Sequence, residues 1–296
     1  YCYDGWEISK YHKYKKSPIN ALERITTFND DFCAGFIIER KFSKSSLRQK
    51  IVMYADKARI DFETEVDWQE NNMLLKTAFP INVLATKAIY DIQFGNVERP
   101  THKNTSWDAA KFEVCAHKWA DISDGGYGVS LLNDCKYGHS AEDSTLRLTL
   151  LKSAAYPNPG GDCGKHKFVY SFYPHIGDFK QGQTVREAYQ LNNPLRCAKA
   201  RGKGSLDATY SFARCENENI VIDTIKKAES GNDIIIRAYE CHNCRTPVEF
   251  EFGFDFKKAY ICDMLENNEK ELVTENNKVK VDMGNYEILT MRLCRE

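Results

Sequence analysis

The sequence predicts an all-β protein made of two successive β-sandwich domains, and three observations lead there. Period-two alternation of apolar and polar residues recurs from Arg59 to the C-terminus; such alternation buries one strand face and leaves the other wet. Short apolar runs are punctuated by clusters of Gly, Pro, Asn and Asp, the spacing expected of strands joined by turns. No stretch carries the 3.6-residue period of a long amphipathic helix.

Residues 1–19 carry five Tyr or Trp among many lysines. They read either as a connecting segment packed against a neighbouring domain or as an exposed linker. Ile60, Phe62, Thr64, Val66 and Trp68 then alternate with Asp61, Glu63, Glu65 and Asp67. The four acids read as a solvated strand face. A catalytic carboxylate pair would need a partner on the opposite side of a reacting bond, and none is indicated. Strands follow at Ala88–Phe94, Leu146–Leu151 and Phe168–Tyr173, the last two separated by a Pro/Gly-rich turn region from Ala155 to His166. Thr184–Gln190 fits a helical turn or a strand. Turn formers and cations from Asn192 to Gly204 mark a boundary. Beyond it, Ile220–Ile225, Ile234–Tyr239, 248–254, 279–283 and 289–293 read as the strands of a second, smaller sandwich.

The chain has 296 residues with 41 basic and 42 acidic side chains, a formal net charge of -1. No basic stripe points to nucleic acid, and no apolar run is long enough to span a bilayer. The 11 cysteines are scattered and odd in number, which fits reduced thiols better than a disulfide scaffold. Cys241-His242-Asn243-Cys244 lacks the second pair a zinc ribbon needs, and reads as a hairpin loop. His102 and His117 have no Cys or acid completing a ligand set, so no metal is assigned to this chain. His175 reads as a hydrogen-bonded structural histidine. Asn104-Thr105-Ser106 is formally an N-glycosylation acceptor.

The densest collection of sugar-compatible side chains lies between Gly95 and Gly138. Arg99, His102, Asn104, Trp107, Asp108, His117, Trp119, Asn133 and Asp134 fall within it, with Gly125, Gly126 and Gly128 permitting tight turns. Aromatic faces stack on sugar rings, and Asn, Asp, Arg and His hold hydroxyls. The alternative is that these residues simply pin loops.

The order of motifs in this stretch (RPTH from Arg99, NTSWD from Asn104, FEV from Phe112, HKWAD from His117, GYGV from Gly126, LLNDCKYG from Leu131) resembles the C-terminal part of family 38 α-mannosidases, most of all the cytosolic and vacuolar type. The likeness extends upstream through Arg59–Pro80 and downstream through Gly161–His175. It reaches Arg201–Leu206 and the C-terminal strands more weakly. The resemblance implies a large antiparallel supersandwich of the galactose-mutarotase-like kind over residues 20–195, followed by a small β-sandwich over 196–296. It implies a parent that is a retaining exo-α-mannosidase, releasing terminal α-linked mannose from oligosaccharides in the cytoplasm, with a vacuolar or lysosomal location as the alternative.

In that family the zinc ion, the nucleophile and the acid/base carboxylate sit in an N-terminal α/β domain, so this chain reads as a C-terminal fragment. The fragment carries no catalytic residue and no cofactor of its own; its partners are the N-terminal catalytic domain and mannose-containing oligosaccharides, with self-association possible. The expected pocket wall is formed by His102, Asn104, Trp107, Asp108, Asn133 and Asp134. The rival is a stand-alone carbohydrate-binding or aldose-epimerase-like sandwich, in which His102, His117 or His175 would pair with Glu113 as acid and base.

Overall fold

A computed structural model describes residues 3–199 and 201–295. The chain divides into two compact units. One holds the chain up to Asp91 together with Val97–Pro194; the other holds Ile92–Asn96 and the chain from Leu195 onward. Both are antiparallel β-structures: a large supersandwich, then a smaller sandwich.

In the first unit, among the described residues, a nine-stranded sheet faces a four-stranded one. The large sheet runs in the order Arg24–Asn29, Cys33–Phe42, Ser45–Tyr54, Ile60–Trp68, Gly164–Ile176, Tyr127–Asn133, Trp119–Ser123, Lys87–Ile92 and Gly95–Pro100. The small sheet runs Leu74–Pro80, Thr145–Lys152, Gly138–Glu142 and Val114–Cys115. Leu47, Val66, Trp68, Leu131, Phe168 and Tyr170 from the large sheet meet Leu75, Leu146, Leu148 and Leu150 from the small one. Two facing apolar rows make a sandwich core of this kind.

The first three strands, Arg24–Asn29, Cys33–Phe42 and Ser45–Tyr54, escape the sequence pattern. Their side chains are half-exposed on both faces for much of their length, so apolar and polar positions contrast little. Local hydrogen bonds set their turns. Asp30 accepts from the amides of Phe32 and Cys33, and Glu70 accepts from Ser43 Oγ, Ser45 Oγ and the Lys44 amide. At Gly35 a Cβ would lie 1.9 Å from the Ile51 carbonyl oxygen and 3.0 Å from the Phe28 ring, so only glycine fits there.

The acidic strand Ile60–Trp68 departs from expectation at one position. Asp61 is not solvated: it is buried and accepts from Arg59, Ser171 Oγ and Tyr54 OH. Arg59 also bonds Glu187 on the helix Thr184–Asn192. That helix is the resolution of the helix-or-strand alternative. It lies against the outer face of the large sheet, so Tyr127–Asn133 is buried on both faces and reads as a continuous apolar run.

In the second unit, Ala213–Cys215, Thr246–Phe252, Lys278–Met283 and Thr274–Glu275 form one sheet. Ile220–Lys227, Ile234–Glu240, Ile288–Cys294, Lys258–Cys262 and Asn268–Leu272 form the other. Val248, Phe250, Phe252, Val279, Leu289 and Met291 fill the space between them. The outward Glu249 and Glu251 pair with Lys278, Lys280 and Arg214. Cys241 to Cys244 is not a hairpin loop: Ile234–Glu240 and Thr246–Phe252 belong to different sheets, and the segment crosses between them. The buried Glu240 carboxylate fixes the crossing by accepting from Asn219, the His242 amide and the Tyr286 amide.

Candidate functional site

After the strand Gly95–Pro100, Thr101 ties the chain back through its amide to Thr86 O and through Oγ1 to Ala85 O. Thr105 then caps the short helix Ser106–Ala110, its Oγ1 accepting from the Asp108 amide. This places Asp108 back toward His102, with Nδ1 and Oδ2 3.8 Å apart. The two line a cleft with Tyr90, Arg99, Lys103 and Glu142. Arg99 lies over the Tyr90 ring, 4.7 Å from its centre. Lys13 and Lys103 both pair with Glu142. Burial pushes the Glu142 carboxyl up, but the two ammonium groups outweigh it and hold it down at about 2. The cleft volume is about 20 Å³, room for a water molecule and not for a sugar ring.

The other expected residues divide sharply by exposure. Trp107 is 80% exposed, whereas Trp119 is fully buried and stacked on Phe179 with ring centroids 5.1 Å apart. Asn104 and Asp134 are exposed. Asn133 is buried with both ends of its amide engaged: Nδ2 donates to His117 O at 2.8 Å and Oδ1 accepts from the Lys136 amide at 2.6 Å. Its carbonyl accepts from Asn192 of the helix. Asn133 thus shapes the loop that presents Asp134.

None of the three acid–base pairings with Glu113 is assembled: His102 faces Asp108 instead. Glu113 is held by Lys76 and by Thr149 Oγ1. His175 donates through Nε2 to Asp121 at 2.7 Å, in a buried patch that includes Ser130 and Thr184. His117 packs edge-on to Tyr137. Among the described residues no three of His, Cys, Asp and Glu gather as a metal cluster, and no helix is long and apolar enough to cross a membrane.

A larger opening crosses four strands of the large sheet, a groove of about 590 Å³. Its floor is a ladder of opposite charges in register, Glu39, Arg48, Glu65 and Lys167, with contacts of 3.6–3.9 Å. The signs alternate, so the groove offers hydroxyl partners and no single-sign field for a polyanion. Sequence reading missed it because each rung comes from a different strand. Only the pairing register brings the rungs together.

Comparison with known proteins gives the class. Residues 2–160 match the Glycosyl hydrolases family 38 C-terminal domain, and residues 219–291 match the Glycosyl hydrolases family 38 C-terminal beta sandwich domain. The chain belongs to glycosyl hydrolase family 38, of which it carries the C-terminal β region. It is 34% identical over 300 residues to Alpha-mannosidase 2C1 of Homo sapiens, covering 98% of this chain and 29% of that one. It is 41% identical over 256 residues to Alpha-mannosidase G of Dictyostelium discoideum, covering 83% and 23% respectively. The chain therefore spans less than a third of the length of these relatives. An α-mannosidase structure from Enterococcus faecalis V583 superposes with a TM-score of 0.79 at 17% identity, covering 91% of this chain and 35% of that one, which establishes the shared fold.

Proposed function

We propose that this chain is the C-terminal β region of a retaining, exo-acting α-mannosidase that removes terminal α-linked mannose from oligosaccharides. The observation that carries the reading is the pair of family 38 matches, one over residues 2–160 and one over 219–291, in a chain equal to 29% of a relative that bears the α-mannosidase name. In a retaining glycosidase one carboxylate attacks the sugar while a second protonates the leaving oxygen; water then releases the glycosyl-enzyme. Those two groups, and the zinc ion, belong to a separate catalytic domain. This chain supports that domain and supplies part of the sugar pocket wall. Asn104, Trp107 and Asp134 offer exposed groups to a sugar, His102 and Asp108 shape the adjoining cleft, and Asn133 holds the loop in place. Free thiols at eight positions, among them Cys33, Cys163 and Cys294, support a cytosolic setting.

The test is hydrolysis of an aryl α-mannoside by the purified chain, with and without added Zn²⁺ or Co²⁺. The expected result is no turnover. Turnover by this chain alone would place the nucleophile inside it and overturn the reading.

A further inference from the structure

Arg99 carries a positive charge that no carboxylate answers, at a cleft too small for an organic ligand. It stands on Gly95–Pro100, the last strand of the large sheet, and its guanidinium lies over the buried Tyr90 ring. Among the described residues neither Arg99 nor Lys111, which lines the same cleft, forms an ion pair. The Nη1 of Arg99 is buried and has no hydrogen-bond partner among them. A charged N–H shut away from water and left unpaired costs more than a neutral donor in the same position. Lys103 and Lys13 share the single carboxylate of Glu142, at 2.5 Å each, so that pairing leaves one positive charge over. Asp108 is the other acid of the cleft, 3.8 Å from His102. Four cations, Arg99, Lys103, Lys111 and Lys13, thus stand against two carboxylates, Glu142 and Asp108, around about 20 Å³ of space. A concave site concentrates such a field, and a space of this size holds one particle about as large as a water molecule.

We infer that the cleft binds a monatomic anion, a chloride ion, to which Arg99 Nη1 donates while Lys103 and Lys111 supply the field. A water molecule fits by size, but only an anion offsets the surplus charge. Sulfate, phosphate and carboxylates are too large for the space. The ion would sit between the strand Gly95–Pro100, the segment 101–111 and the strand Gly138–Glu142, which supplies Ser140, Ala141 and Glu142 to the cleft wall. It would thereby brace the segment that carries Asn104 and Trp107. The whole cleft lies in the first unit, so the ion needs neither a catalytic domain nor a sugar.

The experiment replaces gluconate by chloride at constant ionic strength and neutral pH. It follows the melting temperature of the chain, amide hydrogen exchange and the chlorine NMR line width. The melting temperature of the parent should rise with chloride as a binding isotherm, and amides of 101–111 should exchange more slowly. Arg99→Met keeps an apolar stem against Tyr90 without the donor, and should lose the response. Lys111 is exposed, so Lys111→Gln should melt like the parent in gluconate and weaken the apparent chloride affinity roughly two- to fivefold. Anomalous scattering from crystals grown in bromide should place an ion within hydrogen-bond reach of Arg99 Nη1. A parent indifferent to chloride would mean that water meets the nitrogen, and would overturn the site. A titration unchanged in both variants would do the same, as would bromide bound only elsewhere. Should Arg99→Met fail to fold, Lys111→Gln and the bromide position decide.

Discussion

His139 shows how much a single buried titratable group can weigh in this fold. It is fully buried, its Nδ1 donates to Tyr137 O at 3.3 Å, and its Nε2 has no partner among the described residues. Burial pushes the imidazole down to about 4, outweighing the hydrogen bond to Tyr137 O, which favours the charged form; Lys76 and Arg99 lower it further. The folded protein therefore keeps His139 neutral while the unfolded chain protonates near 6.5. Stability from this residue is complete above pH 6.5 and drains as pH falls toward 4, by up to about 3 kcal/mol. Unfolding midpoints of His139→Leu, measured from pH 7 to pH 4, should fall less steeply than those of the parent. Parallel slopes would show that the imidazole titrates freely in the fold. Glu142 acts in a separate window: its lowered carboxyl stabilises the fold above about 4.5 and loses that contribution only toward pH 2.

At the scale of elements, the helix Thr184–Asn192 is held over the large sheet by polar contacts that a β-sandwich does not ordinarily bury. Asp121, completely inaccessible, accepts from Ser123, Ser130 and His175, and Ser130 Oγ lies 2.6 Å from Thr184 Oγ1 at the start of the helix. The His175 ring fits there because glycine stands at both Gly128 and Gly182. A Cβ would come within 2.4 Å of the ring at the first and 2.5 Å at the second. Removing one carboxylate strands three donors at once. Asp121→Ala should therefore cost about 3 kcal/mol or more in urea unfolding. Hydrogen exchange should quicken first in the helix amides. A loss below about 1 kcal/mol would mean that the patch is satisfied by other partners.

The whole molecule puts the cysteines in a context that spacing alone cannot. Cys33, Cys115, Cys135, Cys163, Cys197, Cys244, Cys262 and Cys294 are free thiols, distributed over both units. A thiol reagent under denaturing, non-reducing conditions should count at least these eight per chain. A markedly lower count would place the protein in an oxidising compartment. Charge at this scale is balanced locally: the outward rungs of the first unit and the Glu249, Glu251, Lys278 and Lys280 face of the second neutralise each other across strands. The net charge of -1 is a matter of composition; the cross-strand pairing sets where the charges lie, each beside one of opposite sign on these faces.

The sequence by itself determined the β class, the inward rows at Ile60–Trp68 and 248–254, and the family. Each rests on local period or local motif order, and both are written along the chain. It also named Trp107 and Asp134 as candidate pocket residues; that both are exposed came from the structure. Tertiary structure alone decided the rest. The hairpins from Arg24 to Tyr54 were invisible because partial exposure on both faces erases the period. Asp61 looked solvated like its neighbours Glu63 and Glu65, until Arg59 and a helix more than a hundred residues downstream closed over it. Trp107 and Trp119 are the same residue type twelve positions apart, yet one stands in solvent and the other is sealed beneath Phe179. The physical reason is common to all three: burial is a property of what packs on a residue from far along the chain, and local pattern records only which side of a strand faces inward.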